Sequence, residues 1–370
     1  MAKNRSVYRY WRACLALLLA GAAALAFGQA NGPASASASA PAPRWIDVAR
    51  DAGHLTAADI GLVINTADPY SEEVGRYYET QRHLRPSQVL RVEIPVKGRL
   101  DLEEFARLQN AIGDHFGPHV QALALAWRQP YAVLCNSITG AIALGVDSEL
   151  CKHTCERSRA SAYFNNPTAR PFTDLGFRPA MLLAAPDEAA ARAMIDRGVA
   201  SDHTLGLRGS PPAEAHFAWT PDAARNVRAR LYPPSGRLAG KNVMVFVDGP
   251  EPPHDRSRVL LLQTGVARLP PLDTIQFVPG ALADHLTSFG GQLDQRGGQS
   301  TALDWIAAGA TASYGTVTEP CNHPQKFPHP QVLLLHFLQG VTALEAYWKS
   351  VGWPQQGVFV GEPLAAPFAR

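Results

Sequence analysis

The sequence predicts an α/β protein in which a mostly parallel sheet is covered by helices on both faces. Two observations carry this prediction. Apolar runs of strand length alternate with amphipathic helical stretches, and the alternation occurs twice along the chain. Parallel neighbours need a long crossover, usually a helix, between consecutive strands. The alternation therefore favours parallel pairing, and uncharged runs such as residues 60–64 indicate strands buried on both sides.

The first half of the chain follows this rhythm until residue 125. We predict strands at 60–64, 89–94, 120–125 and 180–184. We predict helices capped by Ser71, Asp101 and Asp187, because a hydroxyl or carboxylate precedes each periodic stretch. Residues 129–179 interrupt the alternation with Cys, Asn, Pro and aromatic residues, and are interpreted as an extended insertion.

The second half restarts the pattern. Thr220, Pro221 and Asp222 together predict a helix start. We predict strands at 242–247, 258–262, 274–278, 310–317 and 357–360, and helices at 301–308 and 331–351. The simplest organisation is an N-terminal half (45–235) and a similar C-terminal half (236–370), which can share one continuous sheet.

The N-terminus has the parts of a secretory signal. Basic residues precede an apolar stretch from Ala13 to Phe27, and small residues follow. We predict a signal peptide at 1–30 and a flexible leader at 31–44, and therefore a periplasmic or secreted protein without a transmembrane anchor after signal removal. An uncleaved anchor is the alternative, but the apolar stretch falls short of the roughly 20 residues that a span needs.

Four cysteines remain after the predicted signal: Cys135, Cys151, Cys155 and Cys321. In an oxidising compartment they indicate disulfides, and we expect at least one bond within residues 135–155. The formal net charge of +2 gives no argument for nucleic acid as a partner. The densest basic run comprises Arg225, Arg228 and Arg230, and its simplest interpretation is a solvated helix face.

The main candidate site is the run 279–291, interpreted as a loop that enters a helix. It places an acid (Asp284), a base (His285) and two hydroxyls (Thr287 and Ser288) between glycines. These groups could supply a general base and a hydroxyl nucleophile. The alternative is that they cap a strand-to-helix junction. The Gly-x-Ser-x-Gly elbow and the glycine-rich nucleotide motifs are absent from the sequence, so no cofactor is indicated.

Further candidates follow the predicted strand at 310–317. Glu319 and Lys326 would line a cleft if they lie at the strand's carboxyl end, and a loop ion pair is the alternative. The spacing of Cys321 and the histidines that follow it fits no usual zinc set, so we predict no metal. Arg197, Asp202 and Arg225 could bind an anion or bridge the two halves.

Several stretches resemble an uncharacterised family of secreted bacterial proteins from species that carry exosortase, a membrane protein of a sorting system. The stretches are 65–68, 195–202, 222–226, 279–291, 309–321, 326–328, 345–348 and 361–364. The resemblance covers most of the predicted mature chain. It implies export and an envelope role, but no established activity.

The C-terminal half is also distantly similar to gingipain-type cysteine peptidases, which have a caspase-like sheet. In those enzymes one strand ends in His-Gly and the next in a small residue followed by the nucleophilic Cys. Here the corresponding strands end at Thr264-Gly265 and at Pro279-Gly280, while residues 309–315 match the third element. The resemblance implies a caspase-like fold without the thiol–imidazole pair. It makes Thr264, Gly265 and Gly280 candidate binding residues.

Three functional hypotheses follow. The first is a caspase-like binding or accessory factor of the cell envelope, without the peptidase dyad and with an envelope protein or polysaccharide as partner. The second is a hydrolase that uses His285, Ser288 or Glu319 and is not a cysteine peptidase. The third is a glycan-binding protein. We expect residues 263–265, 279–288 and 319–321 to meet along one edge of the sheet, since parallel strands end on the same edge.

Overall fold

The protein is described by a computed structural model over residues 44–250, 253–294 and 298–370. The predicted signal peptide and the leader up to residue 43 lie outside these ranges. From Arg44 on, the described residues belong to one compact unit. None of the helices in these three ranges combines the length and the apolar character needed to cross a membrane.

The helices and strands follow the predicted alternation. The α-helices of the described residues are α1 (Pro69–Gln81), α2 (Leu102–His115), α3 (Ile138–Leu144), α4 (Pro171–Leu175), α5 (Glu188–Ser201), α6 (Ala302–Ala307), α7 (Pro330–Gln339) and α8 (Ala343–Ser350). The strands are β1 (Ile60–Asn65), β2 (Val89–Val92), β3 (Arg99–Leu100), β4 (Ala122–Leu125), β5 (Ala132–Val133), β6 (Asn136–Ser137), β7 (Ala180–Leu182), β8 (Ala213–Ala218), β9 (Gly236–Leu238), β10 (Val243–Asp248), β11 (Arg256–Thr264), β12 (Ile275–His285), β13 (Ala312–Thr316) and β14 (Gly357–Gly361).

One 11-stranded sheet organises the described residues, in the order β2-β1-β4-β7-β14-β13-β12-β11-β8-β10-β9. Eight of its ten neighbouring pairs are parallel, and the two antiparallel pairs are β13–β14 and β10–β9. The predicted α/β class with a mostly parallel sheet is confirmed. A second sheet, β3-β5-β6, is small and lies largely in the predicted insertion.

The antiparallel β13–β14 pair divides the large sheet into two parallel groups that run in opposite directions. Strands β2, β1, β4, β7 and β14 run one way, and β13, β12, β11, β8 and β10 run the other. Strands from both sides of the predicted boundary at residue 235 pair with each other in this sheet. Strand β8 precedes that boundary but lies between β11 and β10, and the C-terminal β14 pairs with β7.

Helical segments cover both faces of the sheet where β12 ends. Successive strand side chains point to opposite faces, so Asp284 and His285 point apart. Asp284 meets Arg228 from the 3₁₀ segment Asn226–Leu231, and His285 meets Trp305 from α6. This alternation separates the carboxylate from the imidazole that follows it.

Two predicted helices differ from the structure. The helix predicted at 331–351 is broken into α7 and α8, because Gly340 adopts a positive φ of 102° and Thr342 caps a new helix. The predicted helix start at Thr220 is wrong. The Thr220 hydroxyl donates to the carbonyl of Gly265, and the chain forms only a short 3₁₀ segment from Asn226.

Smaller differences concern one cap and one strand. Helix α1 is capped by Asp68, which accepts from the backbone N–H of Tyr70, whereas the predicted cap Ser71 is buried and accepts from the N–H of Asn65. Strand β8 carries a small-residue pattern, Ala-Glu-Ala-His-Phe-Ala, that the sequence analysis did not assign to a strand. Strand β8 is nevertheless buried, because it lies between β11 and β10 in the sheet.

Two disulfides close the insertion. Cys135 bonds Cys151, which confirms the expectation of a bond within residues 135–155. Cys155 bonds Cys321 and joins the insertion to the loop after β13. Two such bonds are consistent with a protein that folds in an oxidising compartment.

Candidate functional site

The carboxyl ends of β11, β12 and β13 lie on one edge of the sheet, as predicted. Thr264 and His285 are register partners at the ends of β11 and β12, and β13 is parallel to β12. Pro279 and Gly280 are not at this edge. The interpretation of 279–291 as a loop that enters a helix is wrong, since β12 runs to His285 and α6 begins only at Ala302. The register shifts around Gly280, which takes a φ of 84°, and β12 then continues to His285.

Gly280 is therefore packed inside the fold and does not line a binding cleft. Its Cα lies against Ser201 and Pro367, where an added Cβ would approach Ser201 to 2.8 Å. Its backbone N–H donates to the Thr311 hydroxyl at 3.0 Å. The turn and the close approach together require glycine at this position.

Asp284 is fully buried and forms an ion pair with an equally buried arginine. Arg228 donates to Asp284 Oδ1 at 2.5 Å and to the carbonyl of Thr264, and Gln263 donates to Asp284 Oδ2 at 2.8 Å. Burial raises the pKa of Asp284, and the charge of Arg228 opposes that rise. The interpretation of Arg228 as part of a solvated face is wrong, since its side chain is only 1% exposed.

His285 is also fully buried, and both of its ring nitrogens are engaged. Trp305 Nε1 donates to His285 Nδ1 at 2.9 Å, which leaves Nε2 to donate to the carbonyl of Ser300 at 3.0 Å. Burial lowers the pKa of His285 to about 4, and the charges of Arg228 and Arg225 act in the same direction. The imidazole is thus neutral at pH 7, with no free nitrogen to accept a substrate proton in this arrangement.

The lowered pKa of His285 predicts a loss of stability in mild acid. The unfolded chain takes up a proton below its ordinary pKa of 6.5, whereas the folded protein takes it up only near 4. Stability therefore falls as the pH drops from about 6.5 to about 4, by on the order of 3 kcal/mol for this group. His285→Gln retains a donor and an acceptor but does not titrate. We expect it to reduce this acid loss in urea unfolding measured at pH 7 and pH 4.5.

The exposed His119 supplies the matched control for that experiment. His119→Gln removes a histidine without touching the buried cluster, and should retain the wild-type difference between the two pH values. An unchanged acid loss in His285→Gln would contradict the assignment.

Thr287 and Ser288 follow the strand end. The Thr287 hydroxyl donates to Gln299 Oε1 at 2.7 Å and accepts from Arg225 Nε at 3.3 Å. Ser288 is half-buried, and its backbone carbonyl accepts from Thr316. No hydrogen bond joins the Ser288 hydroxyl to a histidine or a carboxylate in the described ranges.

The loop after β13 connects the sheet edge to the insertion. Glu319 Oε1 accepts from the backbone N–H of Cys321 at 2.8 Å. Lys326 is fully buried and donates to the carbonyl of Thr154 at 2.6 Å. Burial lowers the pKa of Lys326 to about 8, against the raising effect of Glu319. Glu319 and Lys326 thus fasten the loop, and the Cys155–Cys321 bond does so covalently.

Beside this fastening lies a half-open pocket of about 350 Å³, which we call the aromatic pocket. Its residues come from four separate segments of the chain: Ala160, Ser161 and Phe164; Arg230 and Leu231; Pro324, Gln325, Phe327 and His329; and Ser350, Gly352 and Trp353. Most of the lining is carbon, and the polar groups are few. This combination is typical of ligand sites, whose volumes are about 300–1,000 Å³.

Backbone hydrogen bonds hold the walls of the aromatic pocket together. Ser161 N–H donates to the carbonyl of Gly352 at 2.9 Å, and Trp353 N–H donates to that of Gln325 at 2.8 Å. His329 caps α7 by accepting from Val332 N–H at 3.4 Å, and burial lowers its pKa to about 4. The pocket is therefore a formed feature of the fold.

No prediction from the sequence located the aromatic pocket. Its lining includes Arg230 of the basic run and His329, one of the histidines rejected as zinc ligands. The candidates Cys155, Cys321 and Lys326 lie near the pocket in the chain but do not line it. Arg197 and Asp202 act structurally: Arg197 donates to two carbonyls next to α6, and Asp202 pairs with Arg82. In the described residues no three potential ligands are grouped as a metal site would require.

Comparisons with known proteins give one match. No family model matches the chain, and no curated protein matches it. The crystal structure of the Arg-specific cysteine proteinase gingipain R is similar, with 11% sequence identity over 84% of this chain and 78% of that chain, and a TM-score of 0.40. The fold class above therefore rests on the strand order and pairing of this chain, and the site on its own residues.

Proposed function

We propose that this chain is an exported binding protein of the cell envelope and that the aromatic pocket is its ligand site. The observation that carries the proposal is the pocket itself, a cavity of about 350 Å³ lined mainly by Phe164, Phe327, Trp353 and Leu231 with a few polar groups. A formed apolar cavity with few polar groups is the usual form of a small-molecule site.

The chemistry of the sheet edge supports binding over catalysis. The Asp284 carboxylate is neutralised by Arg228, and both nitrogens of His285 are engaged. Each of the four cysteines that follow the predicted signal is in a disulfide, so none presents a thiolate nucleophile. The carboxylate, the imidazole and the thiols that peptidase or hydrolase chemistry would use are thus engaged in contacts that hold the fold.

The cellular setting belongs to the same proposal. The signal-like N-terminus and the two disulfides favour a periplasmic or secreted protein. The resemblance of stretches such as 309–321 to secreted proteins of exosortase-carrying bacteria favours an accessory role in the envelope. The caspase-like architecture without its catalytic pair is part of this proposal too.

A neutral fluorescent probe tests the ligand site. N-phenyl-1-naphthylamine is apolar and uncharged, and we expect it to bind the wild-type protein with an increase in fluorescence. Trp353→Ala and Phe164→Ala remove pocket walls and should each weaken binding by at least about tenfold, as truncation of a central aromatic contact does.

Trp219 supplies the matched control, because it is 39% exposed and does not line the pocket. Trp219→Ala should bind the probe as the wild type does. Equal binding by the Trp353 and Phe164 variants would overturn the proposal. Labelling of Ser288 by a fluorophosphonate would favour the hydrolase alternative instead. Displacement of the probe by envelope polysaccharide, but not by small acids or amides, would favour the glycan-binding alternative.

A further inference from the structure

We infer that the aromatic pocket selects a small apolar anion: a one- or two-ring or branched aliphatic body that carries a single carboxylate. This inference rests on the proposed function, since it names the ligand class of the same pocket. It is carried by the distribution of charge around the pocket and by the size of the cavity.

The residues that line the pocket include an arginine and no Asp or Glu. Arg230 is the charged lining residue, since the half-buried His329 has its pKa lowered to about 4 by burial and is neutral at pH 7. The Arg230 guanidinium makes no hydrogen bond or ion pair with any residue in the described ranges. The other two members of its basic run are paired, Arg228 with Asp284 and Arg225 with Asp222. Arg230 is thus the member of this run whose guanidinium is unpaired among the described residues, and it is a lining residue of the pocket.

A second cation lies against a lining residue. The Arg157 guanidinium stands over the Trp353 ring at 5.6 Å from its centroid. Helix α7 also begins beside the pocket, with His329 as its capping residue, so the positive end of its dipole lies there. The charges around the pocket therefore favour an anion over a cation.

The walls and the volume set the body of the ligand. Phe164, Leu231 and Trp353 offer apolar surface to the pocket, and the fully buried Phe327 lies behind that surface. A volume of about 350 Å³ corresponds to about twelve water volumes at about 30 Å³ each. That space suits a fused two-ring body with its acid group directed to Arg230, because charge-assisted bonds from guanidinium to carboxylate are the stronger kind.

A pair of isosteres isolates the charge. 2-Naphthoate and 2-naphthamide have the same ring body and differ in the carboxylate, so calorimetric titration of both measures the anion preference directly. We expect 2-naphthoate to bind the wild-type protein about tenfold more tightly, which corresponds to about 1.4 kcal/mol. The difference should shrink in 0.5 M salt, because the guanidinium is exposed.

Arg230→Gln should remove most of the preference for 2-naphthoate over 2-naphthamide, because Arg230 is the charged residue that lines the pocket. Arg208→Gln changes an exposed arginine that is not in the pocket, and should retain the full preference. Equal binding of the two compounds by the wild type, or an undiminished anion preference in Arg230→Gln, would overturn the inference and leave the pocket as a binding site. Binding of neither compound, nor of N-phenyl-1-naphthylamine, would overturn the proposed function itself.

Discussion

Arg228→Met is expected to lower the free energy of unfolding by about 3–5 kcal/mol, because it leaves the Asp284 carboxylate buried without its partner. Burial already raises the pKa of Asp284, and the arginine is the charge that opposes this rise. Two further bonds are lost with the guanidinium, to the carbonyls of Thr264 and Pro328. Urea unfolding at pH 7 measures the change.

The double variant Arg228→Met/Asp284→Leu separates the ion pair from the packing. Replacing both charges by apolar groups removes the uncompensated carboxylate, so the double variant should recover much of the stability that Arg228→Met loses. Arg225→Met is the matched control: its pair with Asp222 is 24% and 34% exposed and should contribute less than about 1 kcal/mol. Similar losses of unfolding free energy in Arg225→Met and Arg228→Met would contradict the distinction between the exposed and the buried ion pair.

The strands were largely predictable because their signal is local. The uncharged apolar runs at residues 60–64 and 120–125 indicate buried strands without reference to the rest of the fold, and they lie in β1 and β4. Polar strand ends carry no such signal. β12 ends in Asp284 and His285, and these looked like a loop because the burial of their partners, Arg228 and Trp305, is set by the tertiary fold.

Whether a glycine or proline ends a strand or helix also depends on the tertiary fold and was therefore ambiguous in the sequence. Pro279-Gly280 has the sequence of a turn, yet it forms an irregularity inside a strand, since β11 continues to pair on either side of it. Gly340, in contrast, does end a helix, although the apolar periodicity runs across it. Which outcome holds depends on neighbours that are distant in the chain.

The aromatic pocket could not be found from local patterns. Its four segments span residues 160–353, and each is a loop or a helix end with one or two apolar side chains. The available clue in the sequence was the aromatic content of the insertion, which has no periodicity. In the structure one of these aromatic residues, Phe164, is 39% exposed. The Cys155–Cys321 bond joins two of these segments, and the four cysteines allow three pairings, so the sequence did not specify this bond.

Removal of that bond is expected to have the second large effect. Cys155 and Cys321 are 166 residues apart, so their bond constrains the unfolded chain strongly, and the variant Cys155→Ser/Cys321→Ser should lose about 5 kcal/mol of stability. Cys135→Ser/Cys151→Ser opens a loop of only 16 residues and should lose about 3 kcal/mol. Urea unfolding of the two double variants compares the losses.

The two bonds should also differ in their effect on the aromatic pocket. Cys155 and Cys321 each lie a few residues before a wall of the pocket, at Ala160 and Pro324, and Lys326 fastens the same loop to Thr154. Without the bond these walls are held by hydrogen bonds alone, so 2-naphthoate should bind the folded Cys155→Ser/Cys321→Ser protein several-fold more weakly. Cys135 and Cys151 do not adjoin the pocket, and their removal should leave its affinity unchanged. A pocket wall that moved would change the contacts that 2-naphthoate makes. Equal affinity for 2-naphthoate in both folded variants would therefore show that the Cys155–Cys321 bond acts on stability alone.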